Sequence, residues 1–143
     1  MKVKQLSIFL ENQSGRLAEV TGALGSEGVN IRALSLADTS GFGILRLIVN
    51  DVEKARKVLH DKGFTVRETD VVAIEVPDRP GGLAEVLDTL GSQSINIEYM
   101  YAFVEKSSDN AVVIFRIEDA DRAVAALQAK GFRILQAQEL YAL

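Results

Sequence analysis

Two short stretches of this chain hold the residues best suited to chemistry on a small molecule. They are Asn12-Gln13-Ser14-Gly15-Arg16-Leu17 and Asp78-Arg79-Pro80-Gly81-Gly82-Leu83. Fifteen residues after Gly15 stands Asn30-Ile31, and fifteen after Gly81 stands Asn96-Ile97. A glycine turn at the start of a helix exposes backbone N–H groups, and the helix dipole there favours a carboxylate. An Asn amide offers one acceptor and two donors, enough to bridge two polar groups of a small ligand. Gly81 and Gly82 lack a Cβ, so backbone can approach a ligand closely. The same residues also serve purely structural ends, since a Gly turn can be only a turn and an Asn only a loop cap.

The two stretches are copies of each other. Shifted by 66 positions, GRLAEV at 15–20 falls on GGLAEV at 81–86, and Leu24-Gly25-Ser26 on Leu90-Gly91-Ser92. Ten of the 26 residues in 12–37 are identical to their partners in 78–103. Two extra residues enter the second copy near 105–110, and the offset becomes 68. Asp51, Ala55, Leu59 and Lys62-Gly63-Phe64 then match Asp119, Ala123, Leu127 and Lys130-Gly131-Phe132. One ordered series of matches with a single small insertion marks a duplication. The expected domains are residues 1–70 and 71–143.

The elements that position the turns follow from hydrophobic period. Leu6, Ile8 and Leu10 alternate as in a strand, with Val72, Ile74 and Val76 as counterparts. Leu17, Val20 and Leu24 recur at helical spacing, as do Leu83, Val86 and Leu90. Second strands begin at Val29 and Ile95; third strands hold Ile44–Val49 and Val112–Ile117. Asp51 and Asp119 are placed as N-caps of a second helix, whose buried stripe is Ala55, Val58 and Leu59 or Ala123, Ala126 and Leu127. Gly63 and Gly131 end it, and last strands run from Phe64 and Phe132. The order is βαββαβ, a ferredoxin-like unit. The expected fold is α+β, two such units packed side by side, with an antiparallel sheet and helices on one face. No Pro- or Ser-rich linker separates them, so the units are expected to be held rigidly together.

The third strands carry apolar residues on both faces: Leu45, Leu47 and Val49 against Ile44 and Ile48, and Val113, Phe115 and Ile117 against Val112 and Ile114. A face left without helices is then not expected to stay bare to water. A homo-oligomer, a dimer, is the expected cover.

Several chemistries are excluded. The chain has no cysteine, which removes disulfides, thiolate metal sites and cysteine nucleophiles. His60 is the only histidine and faces outward by period, so no usual zinc site or triad can form. Gly41-Phe42-Gly43 precedes no helix and reads as a hairpin. No run reaches the roughly 18 apolar residues of a membrane span, and the N-terminus lacks an export signal, so a cytoplasmic protein is expected. The net charge of −4 argues against nucleic acid. Tyr99 and Tyr101 alternate on the second strand as base-stacking residues do, yet the aromatic third-strand signature is missing.

A strand, a turn of the form Asx-x-x-Gly-x-Leu, a helix, and Asn-Ile about fifteen residues after the Gly resembles the pattern of ACT domains. The resemblance covers the whole chain in two copies, with DRPGGL nearer the family's usual wording than NQSGRL. It implies a regulatory module that reversibly binds a small L-amino acid at the seam between ACT units, with no catalysis, cofactor or metal. By the family's arrangement, residues 12–17 would meet the ligand with Asn96, and 78–83 with Asn30. It also implies a regulated protein partner. ACT copies often lose ligand binding while keeping the shape, and Arg16 stands where the second copy has Gly82. Two other classes stay open: a protein-interaction scaffold with empty sites, and an RNA-binding module using the open sheet face.

Overall fold

Alternation of apolar residues draws out the first strand, β1 (Val3–Glu11), whose Leu6, Ile8 and Leu10 are buried on one face. The computed structural model describes residues 2–38, 41–103, 107 and 109–143. Lys4–Thr69 forms one compact unit, and Asp70–Leu143, joined by the first residues of the chain, forms the other.

In the first unit β1 is followed by α1 (Arg16–Ser26), β2 (Ile31–Asp38), β3 (Phe42–Val49) and α2 (Val52–Asp61). The strands pair antiparallel in the order β2-β3-β1, with Leu6 opposite Leu47 and Ile8 opposite Leu45. Paired residues share a face, so these four point together toward Val20 and Leu24 of α1 and Ala55 and Leu59 of α2. Burying each such Leu or Ile stabilises the fold by about 1.5–3 kcal/mol. Asp51 caps α2 by accepting from Lys54 N at 3.1 Å. A single strand, β4 (Thr65–Pro77), carries the chain onward without a linker.

The second unit repeats the plan. The later half of β4 precedes α3 (Gly82–Ser92), β5 (Ile97–Ala102), β6 (Asn110–Ile117), α4 (Ala120–Ala129) and β7 (Ile134–Leu135). Strand order is β5-β6-β4-β7, again antiparallel. Val72, Ile74, Val76, Phe115 and Ile117 form its core with Val86, Leu90, Ala123 and Leu127. Asp119 caps α4 from Arg122 N at 3.3 Å. Each unit is therefore a βαββαβ fold of the ferredoxin-like kind.

The structure departs from the sequence reading in four places. Strands β2 and β5 begin at Ile31 and Ile97, two residues later than expected. Val29 and Ile95 are still tied to the preceding helix, donating to Leu24 O and Leu90 O at 3.0 Å each. The last strand of the second unit is only Ile134–Leu135, and a further helix, α5 (Ala137–Ala142), follows with Leu140 buried. Leu17 does not join the buried stripe of α1; it is 38% exposed. Finally, three of the residues expected on the face without helices, Ile48, Val112 and Ile114, are at most 1% exposed. Period shows which face a residue occupies, not what lies over it. The insertion near 105–110 lies partly outside the described residues, as does the loop 39–40 beside Gly41-Phe42-Gly43. Phe42 and Gly43 are themselves part of β3.

Candidate functional site

The two Gly turns share one backbone frame. Gln13 N donates to Glu11 O at 2.8 Å, Arg16 N to Gln13 O at 3.3 Å, and Glu19 N to Gly15 O at 3.0 Å. In the second unit Arg79 N donates to Pro77 O at 2.9 Å, Gly82 N to Arg79 O at 3.0 Å, and Glu85 N to Gly81 O at 3.0 Å. Gly15 and Gly81 are the N-caps, left-handed at φ 87 and 83. Glycine is favoured there because other residues reach that region only at a cost. Neither cap offers a side chain, so no side-chain cap hydrogen bond engages the first-turn amides of α1 or α3, although Arg16 N and Gly82 N are bonded within their turns. Such amides carry the positive end of the helix dipole, where a carboxylate is stabilised.

Around the first turn the chain leaves a cavity of about 130 Å³. Asn12, Gln13, Arg16 and Leu17 of the expected site line it, and so do Leu10, Glu11, Leu36 and Gly43. The latter four were missed. One signal was present: a glycine inside a strand often marks close backbone or ligand approach, and Gly43 lies inside β3. A cavity of roughly 150 Å³ holds a benzene-sized molecule, so this one is on the scale of a small amino acid. Larger hollows exist, such as one of about 780 Å³ along α2. Exposed Glu53, Lys54, Arg56 and Lys57 line that one, together with His60. Charges of both signs on solvated side chains give it no directed chemistry.

Arg16 is the best-ordered charge at the first turn. Its Nη1 donates to Glu19 Oε2 at 2.9 Å, Nη2 stands 3.8 Å from Glu11 Oε1, and its guanidinium lies 5.0 Å from the centre of the Phe64 ring. Its Nε is buried with no acceptor among the described residues. In the second unit the residue at this motif position is Gly82, which is buried. A Cβ built there would lie 1.9 Å from Pro77 O. The guanidinium at that turn comes instead from Arg79, whose Nη2 donates to Glu85 Oε1 at 2.7 Å.

The remaining expected residues divide by role. Ile31 and Ile97 pack against the cores of their own units, and Leu83 packs against the second core. Ser14, Asp78 and Pro80 are exposed on the turns. Asn30 and Asn96 are both exposed. The Asn30 backbone is held by Asn50, with Asn30 N donating to Asn50 Oδ1 at 2.9 Å. No hydrogen bond engages either Asn side chain among the described residues. Within the first unit Asn30 is not among the residues lining the cavity.

The most perturbed carboxylate was not anticipated. Glu75, two residues before Pro77, is mostly buried, with 11% of its side chain exposed. Burial, the largest single influence, pushes its carboxyl up. Hydrogen bonds from Ser107, Arg133 and Asn110, with the charge of Arg133, outweigh this and hold it below the ordinary value. Arg133 Nη1 donates at 2.7 Å and Asn110 Nδ2 at 3.2 Å. Arg133 also pairs with Glu139, whose other oxygen accepts from Gln136 N at 3.2 Å and so caps α5. Glu75 therefore ties β4 to the C-terminal helix. Among the described residues no group of three His, Asp or Glu could hold a metal ion, and no helix is long and apolar enough to cross a membrane.

Two βαββαβ units, each opening its first helix with an uncapped Gly turn, define a tandem ACT arrangement. The ACT domain pair family model matches residues 1–143, and the chain belongs to that family. It is 48% identical to protein BT0572 from Bacteroides thetaiotaomicron, whose crystal structure it matches with a TM-score of 0.93, over 100% of this chain and 98% of that one. The ligand-free regulatory subunit of aspartate kinase from Thermus thermophilus matches at TM-score 0.63 and 19% identity, over 88% and 91% of the two chains. That likeness is one of fold. The acetolactate synthase small subunit of Buchnera aphidicola subsp. Baizongia pistaciae (strain Bp) is 31% identical over 77 residues. The match spans 50% of this chain and 48% of that protein, about half of each.

Proposed function

We propose that this chain is a regulatory, non-catalytic module that reversibly binds a small L-amino acid at its Gly turns. The observation that carries the reading is one uncapped turn frame built twice, at Gly15 and at Gly81. Each leaves first-turn amides for a carboxylate, while an Asn from a paired ACT unit would complement the ligand's ammonium. Of the residues the sequence pattern points to, 12, 13, 16 and 17 have the further support of a cavity at the first turn. Family membership favours the same reading, and so does the match to an acetolactate synthase small subunit. On that ground the output is a change in a protein partner rather than turnover.

The test is a thermal-shift screen of the twenty amino acids. A ligand at a hundred times its Kd adds about 2.7 kcal/mol of stability, which a domain of this size shows as a shift of several degrees. A flat response to all twenty would leave the scaffold reading standing. One observation favours that second reading: Phe9 and Phe42 on the first unit are 40% and 59% exposed. They are also where a homodimer contact would now be sought, and light scattering showing only monomer at micromolar concentration would remove it.

A further inference from the structure

The first turn carries a feature the second cannot have. Arg16 and Glu11 both line the 130 Å³ cavity, and the matching residues in the second unit, Gly82 and Pro77, bear no charge. Their nearest approach, 3.8 Å between Nη2 and Oε1, is well beyond the roughly 2.7–2.9 Å of a tight charged pair. The guanidinium does not swing freely, since Glu19 binds its Nη1 at 2.9 Å and the Phe64 ring lies against it. Its Nε is buried and has no acceptor among the described residues. A fixed cation and a loosely held anion thus share one small cavity. The rest of its wall is mostly uncharged, with Leu10, Leu17 and Leu36.

We propose that this cavity is a zwitterion site built from the first unit's own residues, with Arg16 taking the α-carboxylate of a free amino acid and Glu11 its α-ammonium. A zwitterion separates its charges by about the gap between these two groups, so each gains a partner that the other does not supply. The leucines favour a ligand whose side chain is uncharged. The inference rests on the amino-acid reading above and deepens it: the two turns are unequal, one ionic and one made of backbone.

Calorimetric titration of the full chain with glycine, L-serine, L-valine, L-leucine and L-histidine tests it. Arg16→Gln and Glu11→Gln should each weaken one class of site about tenfold or more and leave any second class as in the parent. Gly43→Val should give the same loss without touching a charge. A Cβ at Gly43 meets only the flexible end of Leu36, at 3.3 Å, and the Ala37 carbonyl at 3.6 Å. The N-acetyl form of the binding amino acid, lacking the ammonium, should bind the parent no better than it binds Glu11→Gln. Thermal melting of each variant verifies the fold. Amino-acid binding that survives all three substitutions overturns the zwitterion site and leaves the broader reading intact. No response to any of the twenty amino acids would instead sink the reading on which it rests.

Discussion

The turns at Gly15 and Gly81 have the same three backbone hydrogen bonds, yet they tolerate opposite residues one position later. The first accommodates the long side chain of Arg16 beside a cavity. The second closes so tightly on Pro77 that a single Cβ would stand 1.9 Å from its carbonyl. A duplicated motif can therefore keep its hydrogen-bond frame while one copy trades room for packing. Position 82 matters first for structure. Replacing Gly82 as a probe of ligand contact would disturb the turn itself, although the sequence pattern suggests only a backbone approach to ligand.

The largest expected effect breaks the comparison at that point. Gly82→Ala should destabilise the second unit by about 1–3 kcal/mol or more through overpacking against Pro77, while Arg16→Gly at the matching position should cost less. Urea denaturation of the two variants decides it. Equal losses would mean that the two turns are as alike as their hydrogen bonds.

Glu75 gives a second contrast, because the first copy has Phe9 at the matching position and no buried carboxylate there. Glu75→Ala removes the acceptor of Ser107 and Asn110, leaves Arg133 with Glu139 alone, and should cost about 1–3 kcal/mol at neutral pH. The folded value is depressed, so this contribution is present above the ordinary glutamate value of 4.5 and is lost as pH falls through the folded one. Melting curves from neutral to acid pH should show parent and variant converging on the acid side. A gap independent of pH would show that packing, not charge, holds the C-terminal helix.

The smallest effect sharpens the comparison at the far end of the same helices. Gly28 and Ser94 occupy matching positions with φ 74 and 56, both left-handed. A residue with a Cβ pays roughly 1–2 kcal/mol there, offset in part by the greater unfolded freedom of glycine. Ser94→Gly should therefore stabilise the chain by about 0.5–1 kcal/mol, and Gly28→Ser should destabilise it by a similar amount, read from thermal midpoints. A destabilised Ser94→Gly variant would show that the serine makes a contact worth more than the strain.

Most of the fold was legible because period and capping are local. Leu6, Ile8 and Leu10 announce a strand, and Asp51 and Asp119 cap helices in the structure as their positions suggest. The motif residues of the first turn were legible for the same reason, since 12–17 are contiguous. Gly43 and Leu36 were not: they come from β3 and β2, and only strand pairing brings them beside Arg16. Helix α5 escaped because six residues are too few to display a helical period.

By itself, the sequence determined that this chain is a duplication, that each copy is a βαββαβ unit, and where the Gly turns lie. Those properties depend on residues near one another along the chain, or on the match between copies. The tertiary structure alone decided that Arg16 has a cavity and Gly82 has none, that Leu17 lines a rim instead of a core, and that Ile48 and Ile114 are covered. Each of those depends on distances of a few ångströms between residues far apart in sequence. Hydrophobic pattern assigns a side chain to a face, but packing decides whether that face meets a neighbour, a ligand or water.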